Sequence, residues 1–157
     1  MRASTVEVTS VSAYGPAARV CLERYFDELA ARFPEGFDLE SDGVPELEDY
    51  IPPGGAFLIA QIFGEPAGCG ALRTFAPGIG EIKRMWVSPE VRGLGVGRRL
   101  LETLERTARE RNLRAVRLDT HSSLAEALQL YRSSGYQEIP RYNDNPYAHH
   151  WLQKSLG

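Results

Sequence analysis

At 157 residues, with 43% apolar and 25% charged residues, the chain has the size and balance of one soluble domain that buries its own core, from residue 1 to 157. That composition excludes a disordered chain, and no apolar run is long enough to cross a bilayer. A net charge of −3 with scattered basic residues argues against nucleic acid as a partner, two cysteines are too few for a disulfide framework, and no cleavable apolar leader precedes the first element, so a cytoplasmic location is expected.

Thr5 to Val11 (TVEVTSV) alternates and predicts a first strand. Pro16 then stands where a helix can begin, and Leu22, Tyr25, Phe26, Leu29 and Phe33 form an apolar stripe that ends at Pro34. Tyr25 and Phe26 read as core, with the lining of a substrate pocket as the alternative. Glu35 to Asp49 is the most acidic stretch, carrying Glu35, Asp38, Glu40, Asp42, Glu46, Glu48 and Asp49 with no Lys or Arg. It reads as solvated surface, or else as a field that draws in a cation.

Ala56 to Phe63 and Ala67 to Phe75 are apolar runs joined at Gly64-Glu65-Pro66, a hairpin, and Pro77 to Gly80 turns the chain into a third strand from Glu81 to Val87. After Gly97 the apolar residues Leu100, Leu101, Leu104 and Ala108 recur at helical spacing. Glu102/Arg106 and Glu105/Arg109 are expected on the exposed side, acid before base. Ala115 to Leu118 predicts another strand, and a strand-helix-strand unit of this length requires parallel pairing. Ser122 or Ser123 is expected to cap the next helix, which buries Leu124, Ala127, Leu128 and Tyr131 and closes at Gly135. Tyr136 to Ile139 and His149 to Lys154 supply two last strands around the polar loop from Tyr142 to Tyr147.

The stretch from Glu81 to Asn112 organises the rest. Between its strand and its helix lies Arg92-Gly93-Leu94-Gly95-Val96-Gly97-Arg98, with glycines at alternate positions. Such a turn removes the side chains that keep a ligand from the main chain, and the first amides of the helix lack partners and carry the positive end of its dipole. A pyrophosphate fits those properties. The turn is not a P-loop, because no lysine follows the glycines, and the dinucleotide fingerprint fails because Arg98 stands where its third glycine belongs.

Arg92-x-x-Gly95-x-Gly97, after a strand ending Val87-Ser88-Pro89, resembles the R/Q-x-x-G-x-G/A signature of the GNAT superfamily of acetyl-coenzyme A dependent N-acetyltransferases. Leu130-Tyr131-x-x-x-Gly135-Tyr136 is similar to the L-Y-x-x-x-G-F ending of that family's next helix. The resemblance implies a mixed α/β fold: a central sheet of about seven strands, mostly antiparallel with one parallel, splayed pair, flanked by about four helices. It implies acetyl-coenzyme A as cosubstrate, bound by Met85, Trp86 and Val87 of the strand and by Arg92, Gly93, Leu94, Gly95, Val96, Gly97 and Arg98 of the turn, with no metal.

An amine of a small molecule or peptide would attack the thioester directly. Tyr131 is the candidate general acid and Glu81, six residues before Val87, the candidate base acting through water. Tyr25, Arg84, Asp119 and Tyr142 are the candidate acceptor-side residues, and Arg73, Lys83 and Arg84 would suit a carboxylate if they point into the pocket. Dimerisation is common among relatives of this kind, so a homodimer is a possible partner state. The alternative to an enzyme is a noncatalytic acyl-coenzyme A binding module.

Overall fold

The structure is a computed structural model that describes residues 5–38 and 47–157, so Glu40, Asp42 and Glu46 of the acidic stretch lie outside the described residues. Seven strands form one sheet: β1 Val6–Ser10, β2 Gly55–Ile62, β3 Glu65–Ala76, β4 Ile79–Val87, β5 Ala115–Thr120, β6 Gln137–Glu138 and β7 His150–Ser155. Their order across the sheet is β1-β2-β3-β4-β5-β7-β6. β4 and β5 pair in parallel, and the other described pairings are antiparallel. Among the described residues three α-helices accompany the sheet, α1 Pro16–Arg32, α2 Val96–Glu110 and α3 Ala125–Ser133, together with one-turn 3₁₀ segments at Leu47–Tyr50 and Pro89–Val91.

β2 explains how the core is divided. Its residues are apolar on both sides of the pleat, and successive side chains point to opposite faces. Ala56, Leu58, Ala60 and Ile62 join the cluster built on Leu100, Leu101 and Leu104 of α2. Phe57 and Ile59 join the opposite cluster, built on Ala18 and Cys21 of α1 with Cys69 and Trp86. The sheet is thus covered on both faces, which is why β2 reads as a continuous apolar run.

Two local expectations are corrected. Glu105 is buried, not exposed: it accepts from the Tyr136 hydroxyl (2.8 Å) and the Lys154 ammonium (3.0 Å), because the α2 face carrying Leu101 and Ala108 is also turned inward there. α3 begins at Ala125 with Leu124 as its N-cap and no side-chain cap. The amides of Ser122 and Ser123 donate instead to Nδ1 of His149 (3.1 Å) and of His121 (3.0 Å), which holds the serines outside the helix.

Gly68 sets how closely β3 and β4 approach beneath α2. A Cβ there would stand 2.6 Å from the Trp86 carbonyl oxygen and 3.1 Å from Leu100 Cδ1. Gly68→Ala is expected to destabilise the fold by about 1–3 kcal/mol through overpacking, read as a lower urea midpoint with an unchanged slope.

Candidate active site

The parallel pairing of β4 and β5 covers only Ile79/Ala115, Gly80/Val116 and Glu81/Arg117. Beyond Glu81 the strands separate. β4 carries a bulge there: Ala71 lies opposite Lys83 and Cys69 opposite Trp86, so three steps on β4 match two on β3, and Arg84 takes the extra step at φ +58°. β5 stays laddered to β7 as far as Thr120/His150, so only its edge toward β4 is released. Ser88 donates its amide to Ala67 (2.8 Å), and strand alternation then turns the Val87 amide and carbonyl toward the gap. The Val87 carbonyl accepts from Nε of Arg92 (3.1 Å).

The glycine turn closes one end of this gap. Gly93 and Gly95 sit at φ +86° and +85°, a region other residues enter only at a cost, and Gly95 is the N-cap of α2 without any side chain to cap it. The first helical bond runs from the Arg99 amide to the Gly95 carbonyl (3.1 Å), so the amides of Val96, Gly97 and Arg98 have no intrahelical acceptor. A Cβ on Gly97 would stand 3.0 Å from Leu130 Cδ2 and 3.4 Å from Val87 Cγ2, so the bare position is what keeps this corner open. The Arg98 guanidinium leans on the hydroxyls of Ser133 (3.2 Å) and Ser134 (3.3 Å).

A cavity of about 280 Å³ lies along the freed edge of β4 between α1 and α3, lined by Met85, Trp86 and Val87, by the turn from Arg92 to Arg98 without Leu94, and by Tyr131. A second cavity of about 60 Å³ adjoins it and shares Tyr25, Met85 and Tyr131. Tyr131 therefore stands at the junction. The residue is buried, its oxygen opens into the cavity, and no hydrogen bond reaches that oxygen among the described residues. Burial lifts its phenol well above the ordinary value of 10, and the negative charge of Asp119 lifts it further, so the proton stays on the oxygen.

The other expected site residues divide. Tyr25 is half-buried, packs on Phe26 (5.4 Å between rings) and lines both cavities. Arg84, Lys83 and Asp119 line the second cavity, as does the buried His121, whose ring stacks on Phe33 at 3.9 Å. Glu81 lines neither cavity. It is buried on the paired part of β4, where it accepts from the Tyr142 hydroxyl (2.7 Å) and Arg73 (3.0 Å), and Tyr142 likewise lines neither. The structure thus brings Tyr131, Asp119 and Arg84 around one space and leaves Glu81 and Tyr142 outside it. Arg73 is also outside, held between Glu81 and Asp49.

Comparison with known proteins agrees with this geometry. The sequence model of the Acetyltransferase (GNAT) family matches residues 22–136. The chain is 37% identical to an IAA acetyltransferase of Azospirillum brasilense over 118 residues, 74% of this chain and 72% of that protein. The chain belongs to the GNAT acetyltransferase family. Its fold superposes on a GNAT acetyltransferase of Staphylococcus aureus with a TM-score of 0.80 at 21% identity, covering 97% of this chain and 99% of the other. It superposes on the PaiA N-acetyltransferase of Thermoplasma acidophilum, solved with coenzyme A, with a TM-score of 0.71 at 15% identity, covering 96% and 98%. No group of residues with the makings of a metal site occurs among the described residues, and no helix among them is long and apolar enough to cross a membrane.

In this GNAT protein the walls of the larger cavity are tied by ion pairs that sequence reasoning missed. Glu28 of α1 accepts from Arg92 at 2.6 and 2.8 Å, from Arg32 at 3.1 Å and from the Trp86 indole at 3.0 Å. Arg32 also grips Glu126 of α3 with both nitrogens, at 3.1 and 3.0 Å. α1, β4, the turn and α3 are joined across the gap by this cluster. Its one legible trace was Glu28 and Arg32, four residues apart on a helix.

Burial alone would raise the Glu28 carboxyl, but the hydrogen bonds from Arg92, Arg32 and Trp86 outweigh it and hold the group below the ordinary 4.5. A carboxyl depressed on folding contributes stability that is complete above its unfolded value and is lost as the pH falls through the lower folded one. Glu28→Gln is therefore expected to cost about 1.5–3 kcal/mol at neutral pH, the range for hydrogen bonds to charged groups. It should also flatten the loss of stability on acidification, measured by thermal melts from pH 7 down to pH 3.

Proposed function

We propose that this protein transfers the acetyl group of acetyl-coenzyme A to a primary amine of a small molecule or peptide by direct attack, without a covalent enzyme intermediate. The observation that carries the proposal is the gap itself: three amides without acceptors at one end, released strand edges along its length, and a buried phenol without a partner at the other. These features fit acetyl-coenzyme A by chemistry. The amides of Val96, Gly97 and Arg98 supply donors for a diphosphate at a helix N-terminus. The Val87 main chain, turned into the gap, supplies one donor and one acceptor for the amide-bearing pantetheine arm, with Met85 and Trp86 as walls. Arg92, Gly93 and Leu94 shape the approach to the turn, and the Arg92 guanidinium serves the wall rather than the phosphates.

The amine nitrogen forms a bond to the thioester carbonyl carbon, the carbon–sulfur bond breaks, the amine gives up one proton to water in the site, and the sulfur gains one. Tyr131 is placed for the second of these. A phenol raised above about 10 is a weaker acid than a thiol near 8.5. It therefore acts by holding its hydrogen bond to the sulfur as charge builds there, and its proton is shared with the leaving thiolate rather than released ahead of bond cleavage. Glu81, bonded to Tyr142 and Arg73, lies outside both cavities, so as a base it would take the amine's proton through Tyr142 or an intervening water.

The test is release of coenzyme A over a broad panel of amines, with acetylated product followed by mass. Turnover with at least one amine is expected; tight binding of acetyl-coenzyme A with no turnover on any would instead leave a noncatalytic binding module. Tyr131→Phe should lower kcat about 100-fold, at the low end of general-acid contributions, with the Kd for acetyl-coenzyme A unchanged. Gly97→Val should weaken acetyl-coenzyme A at least tenfold by closing the corner between Leu130 and Val87, and undiminished affinity would place the diphosphate elsewhere.

A further inference from the structure

We infer that the acceptor is a small amino acid, its carboxylate held at Arg84 and Lys83 and its amino group at Asp119, an inference that rests on the acetyl transfer proposed above. The second cavity is the basis. Lys83, Arg84 and Asp119, residues of both signs, are among those lining its about 60 Å³. Arg84 is 7% exposed, and the bulge that places it there forces its backbone to φ +58°, a conformation a non-glycine residue adopts only where its surroundings hold it. Its guanidinium also lies over the Phe26 ring at 5.3 Å and makes further contacts; a fork of five N–H donors serves more than one acceptor, and a carboxylate matches it in two-pronged fashion.

Asp119 supplies the opposite charge. The side-chain amides of Asn143 (2.6 Å) and Asn145 (3.3 Å) fix its two oxygens, and no ion pair reaches it among the described residues. Four lone-pair sites serve two donors, so the carboxylate keeps capacity for an ammonium. Asp119 and Tyr131 line the same cavity, so an acceptor nitrogen at Asp119 faces the side where the thioester would lie. The far wall is closed by aromatic rings, with Tyr147 packed 5.0 Å from Phe37 and 5.6 Å from Phe33. That closure favours a compact zwitterion over a bulky side chain. A lysine side chain in a protein brings no carboxylate, and a diamine would bring a second cation toward Arg84 and Lys83.

The experiment compares glycine, alanine and serine with their amides, using the full chain and acetyl-coenzyme A. For at least one of the three, kcat/KM should be tenfold or more higher for the acid than for its amide, with the difference in KM. Arg84→Gln should bring that ratio near one and Arg84→Lys should leave it between; Lys83→Met, which should lower it in part, serves if Arg84→Gln does not fold, folding being judged by acetyl-coenzyme A binding. Calorimetry with coenzyme A present supplies a readout independent of turnover: N-acetylglycine, N-acetylalanine or N-acetylserine should bind at least tenfold more tightly than the matching amide. Equal affinities and equal kcat/KM values across all three pairs would overturn the inference. Absence of turnover with every amine would overturn the transferase reading instead, and the calorimetric comparison would still decide the carboxylate site.

Discussion

The constraint on which the rest depends is that the parallel ladder between β4 and β5 stops after three residue pairs. A buried strand edge without partners is costly, so something must satisfy the main chain that is released. The Arg92 side chain does so for the Val87 carbonyl. The bulge at Arg84 gives the parting a local cause, since an extra residue on one strand bends it and increases its twist. What results is a slot walled by main chain, with a helix N-terminus at its head. The geometry of the site is a defect in sheet pairing held open by the packing on either side.

Electrostatics follow the same economy. An acidic chain with net charge −3 would be a poor host for a polyanion if side-chain charge had to attract it. Of the arginines lining the slot, Arg92 is matched to Glu28 and Arg32 to both Glu28 and Glu126, while Arg98 meets only the hydroxyls of Ser133 and Ser134. The attraction falls to Arg98 and to the amides of α2, whose partial charge does not titrate and whose directions are fixed by the helix. The ion-paired side chains are thereby released to do mechanical work, joining elements that the sheet no longer joins. The same charge serves as a strut in one direction and as a neutral lining in the other.

How much could be read from the chain depended on whether the cause was local. The glycine turn was legible because positive φ at Gly93 and Gly95 and the crowding at Gly97 are properties of single positions. The strands were legible because burial on one or two faces leaves a period in the sequence, and Tyr131 because its register on α3 was fixed by Gly135. Partnerships between distant elements left no such mark. Glu28 meets Arg92 across 64 residues, and Glu126 meets Arg32 across 94. Glu81 was identified as a strand carboxylate near the right place, but whether it looks into the slot or away from it depends on where the ladder ends, which no residue type announces. Glu105 shows the same limit: helical spacing put it opposite an arginine, and tertiary packing gave it to Tyr136 and Lys154 instead.

The position of Tyr131 shows why the two cavities belong to one apparatus. Its ring is buried, but its oxygen opens into the cavity and is not among the buried polar atoms left without partners, so the hydroxyl is available to whatever fills that space. Burial and the charge of Asp119 both act on it in the same sense, raising its pKa and so securing the protonated form. That is the wrong direction for a base and the right one for a hydrogen-bond donor, the role proposed for it above. Asp119 thus faces two ways. Its negative charge helps keep the phenol protonated, and the same carboxylate, held in place by Asn143 and Asn145, lines the second cavity beside Tyr131.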